Sequence, residues 1–319
     1  MIARKRIYKY FREYSWSNIF EMIRNNGKSP KVCTEPFKDK LVVITGATSG
    51  IGYFTAKKYA SMGANLLCIN RNKEKSESLK KELEETYGIK CDYQIADLSL
   101  LNDIYRVSDY LFKLEKSIDV LIHNAGIYLN KRELTVDGLE KVFVVNYLSS
   151  FIINYSLMDK LKTQNYARII LVSSEGYRFA VWGLDLDDLN WEKRKYSGLG
   201  SYGQAKLAQI LSMHIFNELV KNSKVAINAM HPGAVKSNTG QDNGPIYKWF
   251  KRNILDKSLK SPEISAEALY YLGVSKEVEG ITGKFFNLTT EESLAPPAKD
   301  IEIASKLWEK SLEISGLKA

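Results

Sequence analysis

Cysteine, histidine and proline are scarce in this chain: three, three and seven residues among 319. Cys33, Cys68 and Cys91 form no Cys-x-x-Cys pair and stand far apart. That spacing argues against a disulfide scaffold and a cysteine zinc site, and favours a reducing, cytoplasmic setting. Cys68 lies in an apolar run and reads as a small core residue. His123, His214 and His231 are scattered and supply no set of metal ligands. No run approaches the ~18 apolar residues that span a bilayer, and no apolar signal core is present. With 45% hydrophobic and 26% charged residues, the chain has the makings of an ordinary globule with a sizeable core.

Charge is present but unevenly placed. The formal net charge is +9, and residues 1–36 hold eight Lys/Arg against three Asp/Glu. The same segment carries Tyr8, Tyr10, Phe11, Tyr14, Trp16 and Phe20. Two readings stay open. A basic amphipathic segment can lie on an anionic membrane surface as a peripheral contact. It can equally be a helical extension packed on its own domain or on a second subunit. No nucleic-acid-binding module accompanies the charge, so no nucleic-acid partner is expected.

Beyond a Pro-containing linker at 31–40, short apolar runs alternate with helical stretches. Strands are predicted at 41–44, 66–69, 91–95, 120–122, 169–172, 225–230 and 285–286. Helices are predicted at 51–62, 73–87, 100–114, 134–161 (with an interruption near its start open at Gly138), 202–220, 261–272 and 301–314. Val-, Ile- and Leu-rich strands alternating with helices indicate a mostly parallel, seven-stranded sheet covered on both faces. The expected organisation is an extension at 1–37 and one doubly wound α/β domain at 38–319.

Thr45-Gly46-Ala47-Thr48-Ser49-Gly50-Ile51-Gly52 follows a strand and opens a helix. Glycines there admit a pyrophosphate, and the helix N-terminus offers N–H donors. A tight turn with no ligand is the alternative. The second strand ends in Asn70-Arg71-Asn72, with no acid to hold a ribose. Arg71 can instead fork onto a phosphate, so NADP(H) is favoured and NAD(H) stays open. Otherwise Arg71 is a solvated surface charge. Asp97 after the third strand can bond an adenine amino group or serve as a helix cap. Tyr202 and Lys206 stand four apart on a predicted helix and so share one face. A phenol has a pKa of about 10, and a nearby ammonium would lower it enough to exchange a proton with a substrate oxygen.

Together these segments resemble the short-chain dehydrogenase/reductase family, over roughly 38–316. The carriers are TGATSGIG (45–52), Asp97-Leu98, HNAG (123–126), VVNYLSSF (144–151), ILVSS (170–174), YGQAK (202–206) and HPGAVKS (231–237). Details are similar to the retinol-dehydrogenase-like branch. The resemblance implies a single Rossmann domain and a catalytic tetrad of Asn146, Ser174, Tyr202 and Lys206. Tyr202 would be general acid in reduction and base in oxidation, with Lys206 lowering its pKa and holding the nicotinamide ribose. Ser174, rather than Ser173, would polarise the substrate oxygen. Asn146 would kink its helix and hold a water linking Lys206 to solvent.

Implied cofactor contacts are Gly46, Thr48, Ser49, Gly50, Ile51, Gly52, Arg71, Asp97, Leu98, Asn124, Ala125, Gly126, Tyr202, Lys206, Pro232, Gly233, Val235 and Ser237. Ser174 and Tyr202 stand 28 positions apart, an enlargement that reads as a substrate flap or as a solvated loop. It includes Ser197-Gly198-Leu199-Gly200, read as flexible. Residues 237–259 fall where the family carries a substrate lid. Their aromatic composition suits a small lipophilic carbonyl or alcohol, while Lys248, Lys251 and Arg252 leave a substrate with an acidic group open. The expected activity is carbonyl–alcohol oxidoreduction. The alternatives are a non-catalytic NADP-binding regulator or another reaction, such as epimerisation or enoyl reduction. Family members often associate through the helices carrying Asn146 and Tyr202, so a homo-oligomer stays open.

Overall fold

The computed structural model describes residues 28–235 and 260–318, together with Tyr10, Glu13, Arg24 and Asn25. The expected lid at 237–259, with Ser237, and most of the segment 1–36 lie outside the described residues.

The chain opens its sheet with β1 (Leu41–Thr45), buried at every position. There follow α1 (Gly50–Ser61), β2 (Asn65–Asn70), α2 (Lys73–Tyr87), β3 (Cys91–Ile95), α3 (Leu101–Lys113) and β4 (Val120–His123). A short α4 (Lys141–Phe143) passes through a π-helical turn (Val144–Leu148) into α5 (Ser149–Lys162). Then come β5 (Ala167–Val172), a 3-10 turn (Glu175–Phe179), α6 (Gly198–Val220), β6 (Val225–His231) and α7 (Glu263–Val274). The described chain closes with β7 (Phe285–Asn287), β8 (Thr290–Glu291) and α8 (Ile301–Ser315).

Among the described residues the strand order is β3-β2-β1-β4-β5-β6-β7-β8, parallel except for the last pair. The seven expected strands are all present. The eighth is a two-residue hairpin return, with Leu288 at positive φ (53°) in its turn, too short to carry a pattern. Side chains alternate across the sheet. Val43, Leu67 and Ile69 join one core with Phe151 and Leu211. Val42, Ile44 and Cys68 join the other with Tyr59 and Leu269. Each large apolar side chain so buried contributes roughly 1.5–3 kcal/mol. Strand order reverses between β1 and β4, which opens a crevice beyond their carboxyl ends.

Two helix boundaries differ from expectation. The helix expected from Leu134 begins at Lys141. Residues 134–140 instead form a tight loop with a Leu134–Glu140 bridge and Gly138 at φ 75°. Glu140 then caps the helix by accepting from Phe143 N at 2.7 Å. The helix carrying Tyr202 starts four residues early, at Gly198, where Ser197 Oγ accepts from Gly200 N at 3.3 Å. The glycines of its first turn, Gly198 and Gly200, allow close packing rather than flexibility. A Cβ on Gly198 would stand 2.6 Å from Leu129 O, and one on Gly200 2.6 Å from the Trp191 ring.

The 31–40 stretch is no loose linker. Cys33 and Phe37 are buried, and Lys31 N donates to Thr289 Oγ1 at 2.8 Å. Among the described residues no helix is long and apolar enough to cross a membrane.

Candidate active site

The crevice is a cleft of about 680 Å³ that runs from the turn after β1 to the start of α6. Its floor is set by β1 and β4. Thr45 Oγ1 accepts from Asn124 N and Ala125 N, each at 3.0 Å. The Asn124 amide donates back to Thr45 O and Gly46 O, each at 3.0 Å. Gly46 and Gly50 lie at φ 71° and 54°, which a side chain would oppose. A Cβ on Gly52 would meet Gly46 O at 2.1 Å, so the helix can close on the turn only with glycine there. Ser49 leads α1 without a side-chain cap, so the first N–H groups face the cleft unshared by that hydroxyl.

The structure brings most of the expected residues together. Gly46, Thr48, Ser49, Gly50, Ile51, Arg71, Asp97, Leu98, Asn124, Ala125, Gly126, Pro232, Gly233 and Val235 line the cleft, with Ser174, Tyr202 and Lys206. Gly52 and Asn146 stand behind its wall. Arg71 forms no ion pair among the described residues, and Lys75 joins it on the same lining. Lys75 was not foreseen; its position four beyond Arg71, at the start of α2, was the available signal. Asp97 Oδ1 accepts from Ser99 N at 2.9 Å and Ser99 Oγ at 2.8 Å. It caps no helix, because Leu100 holds that position.

Asn146 lies inside the π-helical turn, which is the expected irregularity. Its side chain bonds the Ile127 backbone. Asn146 Oδ1 accepts from Ile127 N at 2.7 Å, and its Nδ2 donates to Ile127 O at 2.9 Å. Asn146 thereby fixes the loop after β4.

Ser174 Oγ accepts from Gly176 N at 3.0 Å and hydrogen-bonds Tyr202. Ser173 is buried at the end of β5, and its N–H donates to Met230 O at 2.8 Å. Gly176 was not anticipated. A Cβ there would stand 2.8 Å from Tyr202 Cε1, so only glycine lets the ring lie against the turn. The Tyr128 ring packs edge-on against Tyr202 with centroids 5.9 Å apart.

Lys206 is buried; its Nζ donates to Val172 O at 2.7 Å and lies 5.9 Å from the Tyr202 ring centroid. Burial pushes its pKa down to about 7. Burial pushes the Tyr202 phenol up, opposed by the Ser174 hydrogen bond. The expected lowering of Tyr202 by Lys206 is therefore not what this geometry gives. A half-neutral amine engaged with a carbonyl exerts less pull than the loss of solvent around the phenol.

The long stretch between Ser174 and Tyr202 splits into parts. Phe179 and Leu199, at its two ends, line the cleft and are 60% and 52% exposed. Its middle docks away from the cleft. Leu184, Leu189 and Trp191 are buried, Asp188 Oδ1 accepts from Glu192 N at 2.6 Å, and Arg194 stacks 3.7 Å from the Trp191 centroid. His123 is a packing residue, 2.7 Å from Asn154 Oδ1.

A dinucleotide cleft with a serine, tyrosine and lysine on one wall defines the oxidoreductase class to which the molecule is similar. Residues 40–183 match the short chain dehydrogenase family. Retinol dehydrogenase 13 of Homo sapiens is 35% identical over 298 residues, covering 92% of this chain and 89% of that one. The chain belongs to the short-chain dehydrogenase/reductase family, in its retinol-dehydrogenase-like branch. A solved but uncharacterized protein from Mycobacterium paratuberculosis superposes with a TM-score of 0.69 at 26% identity, over 88% of this chain and 95% of that one. A Shigella flexneri 2a short chain dehydrogenase solved with NADP shares the fold, with a TM-score of 0.64 at 19% identity over 80% of this chain and 99% of that one.

Proposed function

We propose that this protein interconverts a hydrophobic aldehyde or ketone and its alcohol, using NADP(H), with Tyr202 as general acid and base. The observation that carries the reading is the placement of Ser174, Tyr202 and Lys206 on one wall of the cleft that begins at the glycine turn. The uncapped start of α1 and the glycines fit a pyrophosphate. Arg71 and Lys75, with no acid at the end of β2, fit a ribose phosphate and favour NADP(H) over NAD(H). Support for a lipophilic substrate comes from exposed Phe179 and Leu199 at the mouth, and from the name of a relative that acts on retinol.

The bound nicotinamide would supply or accept the hydride. In reduction, Tyr202 gives its phenolic proton to the carbonyl oxygen while Ser174 donates a hydrogen bond to the same atom. In oxidation, Tyr202 takes the proton back. Lys206, poised near neutrality, both takes and releases a proton behind Tyr202 and can hold the nicotinamide ribose. Asn146 keeps the loop after β4 at the right height. A panel of carbonyls and alcohols, followed by NADPH absorbance with NADH in parallel, tests this. Turnover with NADPH that Tyr202→Phe abolishes, with cofactor binding kept, is the expected result. Preference for NADH would remove the role given to Arg71. Undiminished activity in Tyr202→Phe would remove the mechanism.

A further inference from the structure

The 3-10 turn Glu175–Phe179 carries Ser174 as its capping residue and ends at Phe179, both on the cleft lining. Between these ends sits a cluster of buried charges that the proposed chemistry does not use. The Arg178 guanidinium pairs with Glu175 on its own turn. It also reaches across to Glu292, beyond β8, with Nη2 2.8 Å from Oε1, and donates to Ser293 O at 3.1 Å. The Glu292 side chain has no exposure at all. Its other oxygen accepts from Asn287 Nδ2 at 3.2 Å and from Asn25 Nδ2 at 3.0 Å. Asn25 belongs to the N-terminal segment and is itself buried. Glu175 N faces His231 Nδ1 of β6 at 3.4 Å.

We propose that Arg178, Glu175 and Glu292 form a clamp that positions Ser174, closed from outside by Asn25. The proposal rests on Ser174 polarising the substrate oxygen. The turn is short and its cap is the reactive serine, so any tilt of the turn moves that hydroxyl. One guanidinium cannot balance two ionised carboxylates away from water. Glu175 Oε1 is buried and has no donor from the protein. A proton on Glu175 resolves both problems by donating to the neighbouring Glu292. The groups facing Glu175 agree: Arg178 and Glu292 share its charge balance, and burial holds His231 neutral, at about 4. Loss of solvent raises Glu175 to about 8, while Glu292 lies below its usual range, so the proton belongs to Glu175. Asn25 and Asn287 both donate to Glu292, which favours its ionised form.

The consequence is a site whose geometry depends on a proton outside the reacting groups. Above about pH 8 Glu175 ionises, the clamp carries one negative charge too many, and the Ser174 turn loosens.

The test uses the full chain and measures kcat and KM for NADPH-driven carbonyl reduction, NADPH affinity by fluorescence, and thermal midpoints from pH 5 to 9. Arg178→Lys keeps the charge but loses the fork. It should lower kcat about 10- to 100-fold, as misplacement of a polarising group does, with NADPH affinity within about twofold. Asn25→Ala should move kcat in the same direction by a smaller factor. Glu175→Gln, which retains a donor, should restore most of the kcat that Glu175→Ala loses and should remove the decline above pH 8. Wild-type kcat in both Arg178→Lys and Asn25→Ala overturns the proposal, as does an unchanged alkaline decline in Glu175→Gln.

The midpoints decide separately, whatever the substrate. The folded state keeps a proton that the unfolded chain releases, so wild-type stability should fall as pH rises from about 5 to 8 relative to Glu175→Gln. Parallel midpoint curves overturn the proposal. If the wild type turns over no carbonyl, the functional reading fails by itself and the midpoints still judge the clamp.

Discussion

In the proposed reaction Tyr202 acts through one oxygen, so Tyr202→Phe should cost about 100- to 10,000-fold in kcat while leaving NADPH affinity near wild type. Stopped-flow turnover beside a fluorescence titration separates the two. In the proposed cofactor site Arg71 would act through a fork of donors on a phosphate. Arg71→Ala should raise KM for NADPH about 10- to 100-fold and leave that for NADH nearly unchanged. An equal effect on both cofactors would make Arg71 a surface charge. Lys206 gives a pH signature. Its pKa is depressed to about 7, so in the fold it is neutral above that pH, whereas the unfolded chain stays protonated to about 10.4. The unfolded state then binds more protons, and stability rises with pH between those values. Relative to Lys206→Met, the wild-type thermal midpoint should climb from pH 7 to 10, and calorimetry on both proteins reads the difference.

Elements were legible where periodicity was long and glycine marked an end. The strands, α1, α2 and α8 all lie within a few residues of their predicted bounds. The helix bearing Asn146 was expected from Leu134, with an interruption near Gly138, because Leu134 and Leu139 continue its apolar spacing. A loop closed by Gly138 and capped by Glu140 overrides them. The start of α6 was missed because glycine usually signals flexibility, and only the neighbours of Gly198 and Gly200 show why it is needed. In the site, the glycine turn and the cleft-lining Ser174, Tyr202 and Lys206 stood out because their motifs restrict residue type. Gly176 and the partners of Asn146 depend on long-range contacts that no local pattern encodes, whereas the spacing of Lys75 from Arg71 was a local signal. The turn is the least tolerant element. Gly52→Ala forces a Cβ to 2.1 Å from Gly46 O and should cost about 1–3 kcal/mol or more, with loss of NADPH binding, checked by denaturant unfolding and titration.

At the scale of the whole molecule, α8 lies across the helices through which relatives were expected to associate. Trp308 packs with centroids 4.9 Å from Phe151 and 4.6 Å from Phe216, and Tyr147 Oη is 2.6 Å from Ser311 Oγ. An association through that face must first displace α8. The full chain should therefore run as a monomer in light scattering. Trp308→Ala should cost about 3 kcal/mol by the cavity it leaves and favour self-association. A stable wild-type dimer that Trp308→Ala does not alter would assign assembly to another face.

The bond between Asn25 and Glu292 spans 267 positions. A ribosome adding about 5–20 residues per second needs roughly 15 to 50 seconds to cover that distance. Through that interval Asn25 has no carboxylate to settle on, so this contact closes only after the cleft's strands have been made.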